Sequence, residues 1–142
     1  MNSYAETIKQ LQTDLYSALR TIVDLMPEDI QHVLGSYYAC ETKEDSYRWK
    51  HETVEKIIGF AKKLPTEEGS HFSDRAYCPL CGEGSASPYE SGFSLPEGLR
   101  RHLVGWGNMP QCRVMVATIQ LANKYWQDKF RSTEQAKEIR GR

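Results

Sequence analysis

Four side chains in this sequence have the types and the spacing to act together chemically: Cys78, Cys81, His102 and Cys112, in the order C-x2-C-x20-H-x9-C. A C-x2-C pair, here Cys78-Pro79-Leu80-Cys81-Gly82, forms a tight turn that aims two thiols at one point, one half of a tetrahedral metal site. Three thiolates and one imidazole are soft-to-borderline donors that suit Zn2+, and four protein ligands leave no open coordination position. The expectation is one structural zinc ion. His71 lies seven residues before Cys78 and is a rival fourth ligand. Disulfides rank behind metal, because the chain carries no export signal and C-x2-C is a poor disulfide framework.

Around the same residues Phe93, Leu99 and His102 are spaced F-x5-L-x2-H. Over residues 77–112 the chain therefore resembles the zinc fingers built from a β-hairpin and one helix. The resemblance implies a ββα element in which Phe93 and Leu99 form a miniature core and the helix delivers His102. Eleven residues separate Cys81 from Phe93, where that family has about three, and the last ligand is Cys112 instead of a nearby His. Cys112 preserves the finger-like order and is preferred over His71 for that reason. It would tie the finger to the last helix.

The elements that must position this site read as helices. Apolar residues at Ile8, Leu11, Leu15, Leu19, Ile22 and Met26 recur every three or four positions and predict a helix over about 3–26. Its stripe would pack inside a bundle or, as the alternative, against a second copy of the chain. Pro27 opens a second helical stretch towards Cys40, which reads as a small buried hydrophobe. His32 within it reads as a solvated or hydrogen-bonded histidine. Residues 41–64 predict a charged helix with Tyr47, His51, Val54, Ile58 and Ala61 inward and Trp49, Ile57 and Leu64 near that face. His51-Glu52 starts an H-E-x-x-H pattern, but Glu55 stands where the second His must be, so no zinc site forms there. Pro110, with Asn108 as cap, is expected to start a long last helix with Val114, Ala117, Leu121, Tyr125 and Met115, Ile119, Ala122, Trp126 inward. The fold class is mainly α: a helical bundle, one domain over 1–142, with a ββα insert at 77–112.

Composition narrows the function. The chain has 142 residues and a formal charge of −1, so no strong field favours nucleic acid or an acidic membrane. No apolar run approaches a membrane span and no signal peptide precedes the first helix, which points to the cytoplasm. The tail 114–142 carries six basic and three acidic residues, and 65–113 four basic and six acidic. By the finger resemblance, the base-reading positions fall on Leu95, Gly98 and Arg101, of which only Arg101 suits a base edge. Four scattered histidines give no second metal centre for a nuclease, and no phosphate loop, nucleophile elbow or deaminase pattern occurs. The reading is a zinc-containing interaction protein with a protein partner. DNA or RNA binding is the alternative, and a metal-dependent nuclease stands behind both. Arg100, Arg101, Trp106 and Arg113, with Tyr89, would form the contact surface. Trp106, between Gly105 and Gly107, is either an anchor into the bundle or a binding hot spot.

Overall fold

The computed structural model describes residues 3–65, 74–84 and 91–140, the last nine by backbone alone. His71 and Tyr89 lie outside the described residues. The protein is mainly α-helical with a two-stranded antiparallel sheet, the class expected from the sequence pattern. In chain order the elements are α1 (Ser3–Asp24), α2 (Glu28–Leu34), a 3-10 turn (Gly35–Ala39), α3 (Lys43–Gly59), β1 (Arg75–Ala76), β2 (Phe93–Ser94), α4 (Glu97–Val104) and α5 (Arg113–Arg140).

Two compact units divide the chain, Met1–Ser46 with Ala117–Arg142, and Tyr47–Val116. The insert expected at 77–112 lies wholly inside the second. In the first unit the core is Leu19 of α1, Ile30 and Leu34 of α2, Tyr37, Cys40, and Ala117, Thr118, Leu121 and Ala122 of α5. Pro27 stops α1 from continuing, and the Gln31 amide donates to the carbonyls of Asp24 (2.8 Å) and Met26 (2.6 Å), which α1 leaves open. The Trp126 indole N–H donates to the Tyr37 carbonyl (3.1 Å) and the Lys129 ammonium to the Cys40 carbonyl (2.8 Å). Two side chains of α5 thus reach backbone acceptors at the end of the 3-10 turn, the Tyr37 carbonyl also taking the Cys40 N–H (3.2 Å).

In the second unit the inward face of α3 is Trp49, Thr53, Val54 and Ile57. This agrees with the expectation at Trp49, Val54 and Ile57 and corrects it at two positions. Tyr47 is 73% exposed and His51 is exposed as well. The helix has rotated to bury Trp49 and Ile57, whose large apolar surfaces outweigh an amphipathic tyrosine and a polar histidine. The helix also ends at Gly59 instead of reaching Pro65, and the Leu64 N–H donates to the Arg75 carbonyl (2.8 Å).

The strands are two residues each, with Arg75 opposite Ser94 and Ala76 opposite Phe93. Arg75 is buried, and its guanidinium donates to the carbonyls of Ser91 (2.9 Å) and Gly92 (2.7 Å), fixing the entry to β2. A buried charge of this kind persists only when its donors are paired. Gly92 has φ +75°, and a Cβ there would lie 2.7 Å from the Ala76 carbonyl oxygen. Close strand approach and a left-handed backbone both require glycine at this point. Arg100 of α4 clamps Glu55 of α3 through two bonds (2.6 and 3.0 Å) and also reaches Glu97.

Two outcomes follow for stability. Gly92→Ala should lower the urea midpoint by the equivalent of about 1–3 kcal/mol, since it meets both strain and a backbone clash. The hydrogen bond from Arg100 holds the Glu55 carboxyl below its ordinary value of 4.5. A depressed carboxylate contributes stability above its unfolded value, lost as pH falls through the folded one. The stability gap between wild type and Glu55→Gln should therefore be present at pH 6 and shrink on acidification below about 4.5. A gap that stays constant down to about pH 3 would show that the ion pair contributes nothing.

Candidate metal centre

The turn after β1 is built from backbone bonds that need no particular side chain. The Cys78 N–H donates to the Glu83 carbonyl (2.9 Å), and the Gly82 N–H to the Cys78 carbonyl (2.9 Å). The Leu80 N–H points at the Cys78 sulfur (3.4 Å), and buried Leu80 pins the turn to the unit's core. An amide aimed at a sulfur favours its ionised form, the form that binds metal.

On α4, Leu99, His102 and Leu103 are all buried, a spacing of three and four that places them on one face. Phe93 from β2 stacks on the His102 ring, with centroids 4.4 Å apart and planes 20° from parallel. That stack fixes the ring plane and shields one face from water. The Cys112 N–H donates to the His102 carbonyl (2.9 Å), so the main chain brings the third thiol back beside the imidazole.

The result is one cluster. The ligand atoms of Cys78, Cys81, His102 and Cys112 all lie within 4.8 Å of one another, and every one but Cys81 is buried. Cys81 Sγ is 3.2 Å from His102 Nε2, and Cys78 Sγ is 3.9 Å from Cys112 Sγ. A disulfide needs about 2.05 Å, and all four cysteines of the chain are free. A tetrahedral ion with bonds of about 2.3 Å to sulfur and 2.0–2.1 Å to nitrogen would set its ligands roughly 3.5–3.8 Å apart. The two observed distances, 3.2 and 3.9 Å, lie on either side of that range, and no pair exceeds 4.8 Å.

Electrostatics favour a cation at the centre. The hydrogen bond from Cys112 draws the Cys78 thiol far below the ordinary thiol range, and the same bond, with burial, holds Cys112 well above it. Burial, more than the Cys78 charge, holds Cys81 up too. Each further thiolate in this space meets its neighbours' charge in a poorly solvated site, which disfavours it. A divalent cation reverses that balance by displacing the remaining protons.

The other residues singled out in the sequence are scattered. Cys40 is buried in the first unit, and His32 and His51 are exposed on α2 and α3. Arg100 is engaged with Glu55 and Glu97. Arg101 lies over the Trp106 ring, 5.3 Å from its centroid, and Arg113 is exposed at the start of α5. Trp106 is 62% exposed. The expected helix start at Pro110 is corrected: Trp106 and Met109 form a β-bridge, and α5 begins only at Arg113. Holding Cys112 against the His102 carbonyl takes these residues out of helical geometry. Sequence reading missed Arg75, which sets β2 beside the cluster. Its only signal is an arginine, beside Asp74, immediately ahead of the uncharged run Ala76 to Leu80.

Comparison with protein-family models, with curated proteins and with solved structures finds no match to this chain.

Metal content per chain tests the ligand set. Wild type should hold one equivalent after dialysis, Cys112→Ser should lose most of it, and His71→Ala should keep it. Loss with His71→Ala and retention with Cys112→Ser would remove Cys112 from the set.

Proposed function

We propose that the cluster is a structural zinc site and that it presents an exposed turn for binding another macromolecule, a protein in the first instance. Zinc is favoured by the donor set, three sulfurs and one nitrogen, and by the closed arrangement of four protein ligands. A closed site leaves no place for substrate or activated water, so its contribution is to folding, on the order of 10 kcal/mol for such sites. The order β1, cysteine turn, β2, α4 supports the likeness to ββα zinc fingers as a variant with an enlarged loop.

The observation that carries the binding reading is the turn between the last two ligands. Met109 N–H donates to the Trp106 carbonyl (2.9 Å), and the Gln111 amide to the Leu103 carbonyl (2.8 Å). Gly105 and Gly107 take positive φ (+83° and +55°), which the reversal of chain direction requires. At the base stand His102 and Cys112; at the tip stand Trp106 and the 39% exposed Met109, with Arg101 against the indole. A large ring left in water on a braced turn carries a standing hydrophobic cost that a partner's surface would remove. Tryptophan and arginine are the residues most often found as interface hot spots. The segment 65–113, with four basic and six acidic residues, lacks the positive field that phosphate binding needs.

Capture from the native host's extract with zinc-loaded protein tests this reading. Trp106→Ala should weaken retention of a protein partner by at least about 30-fold, the equivalent of a 2 kcal/mol hot spot, with metal content unchanged. Arg101→Ala should weaken it less. Retention that survives Trp106→Ala sinks the proposed surface, and retention abolished by nuclease moves the partner to nucleic acid.

A further inference from the structure

The N-terminal half of α1 projects an apolar stripe that the described residues leave uncovered. Residues 6–15 are all exposed. Tyr4 is 83% exposed, Ile8 55%, Leu11 62%, Leu15 50% and Leu25 75%. The face that packs within the unit is a different one: Leu19 is buried, and Tyr16, Val23 and Met26 are half-buried. Leu25 still belongs to the helical register, since its N–H donates to the Thr21 carbonyl (3.1 Å).

The row Tyr4, Ile8, Leu11, Leu15, Ala18, Ile22 and Leu25, exposed at every position but the half-buried Ile22, runs with spacings of 4, 3, 4, 3, 4 and 3. That is an unbroken a/d seam over three heptads, the period at which one helix meets another along its length. An uncovered helix of some 12–15 residues is marginal in water, so this half of α1 gains from a companion.

We propose that the companion is a second copy of this chain, the two α1 seams packing against each other in a homodimer. The flanking e and g positions are Ala5, Thr7, Gln12, Asp14, Leu19 and Thr21. These positions choose partners in coiled coils by charge. With a single charge among six, the seam has no row of like charges to reject its own copy and no pattern of charge to select a foreign helix. Glu6, Lys9, Arg20 and Asp24 fall on positions away from the seam. Complete burial of the exposed seam residues would cover at most roughly 600 Å² per copy, or about 1,200 Å² in the pair, at the lower edge of specific interfaces. The dimer is accordingly one that dissociates on dilution.

Sedimentation equilibrium of the full-length, metal-loaded chain between about 2 and 200 µM covers the range where such an interface dissociates. Wild type should move from the 16.3 kDa monomer towards twice that mass. Leu11→Glu and Leu15→Glu should each weaken association at least tenfold while metal content per chain stays at wild-type level, which reports that the second unit is folded. Thr13→Glu, on the opposite side of the helix, should associate like wild type. A wild-type chain that stays monomeric throughout overturns the proposal. So does a Leu11→Glu variant that dimerises unchanged, or a Thr13→Glu variant that dissociates as readily as Leu11→Glu.

Discussion

Three thiols and an imidazole held within 4.8 Å of one another form a crowded donor set in which each further negative charge is disfavoured. Beside the core that α3 shares with Leu99, Leu103 and Met115, the elements that carry these four side chains are short. The sheet is two strands of two residues, and α4 is eight residues long. A two-stranded hairpin is marginal in water even at greater length, and so is a helix of two turns. The cluster joins positions far apart in sequence, Cys81 to His102 across 21 residues and Cys78 to Cys112 across 34. Each such closure removes freedom that the unlinked chain would keep. The packing around it is arranged to the same end: Phe93 sets the plane of His102, Leu80 pins the cysteine turn, and Arg75 holds the strand that carries Phe93.

What the sequence revealed, and what it hid, follows from how local each cause is. The gathering of the four ligand residues was legible because metal chemistry demands fixed residue types, and the C-x2-C turn is a local structure. The helical class was legible for the same reason, through apolar spacing. The start of α5 was not. Asn108 and Pro110 are good helix-opening residues, yet the tether from Cys112 to the His102 carbonyl overrides them, and a contact ten residues away leaves no mark on local propensity. The face of α3 was legible at Trp49, Val54 and Ile57 but misplaced at Tyr47 and His51, because the rotation of a helix is set by what packs opposite. On α1 two apolar faces overlap in the sequence. One stripe through Leu19 looked continuous, whereas the structure separates an inward face at Leu19 from an outward seam at Leu11 and Leu15.

Trp106 shows why an exposed residue can depend on a buried site it does not touch. Ordering a loop side chain on binding costs entropy, and that cost is lower when the free state already holds the bound shape. Here the turn is closed at its base by two candidate ligands, braced midway by the Gln111 amide, and capped by the Arg101 guanidinium on the indole. Loosening the cluster would release the turn and raise the cost of any contact made through it, without altering Trp106 itself. A binding defect caused that way would appear together with lost metal, whereas one caused at the tip would not. The distinction separates positioning from contact, and on the proposed binding reading it would make the buried cluster a positioning element for the exposed turn.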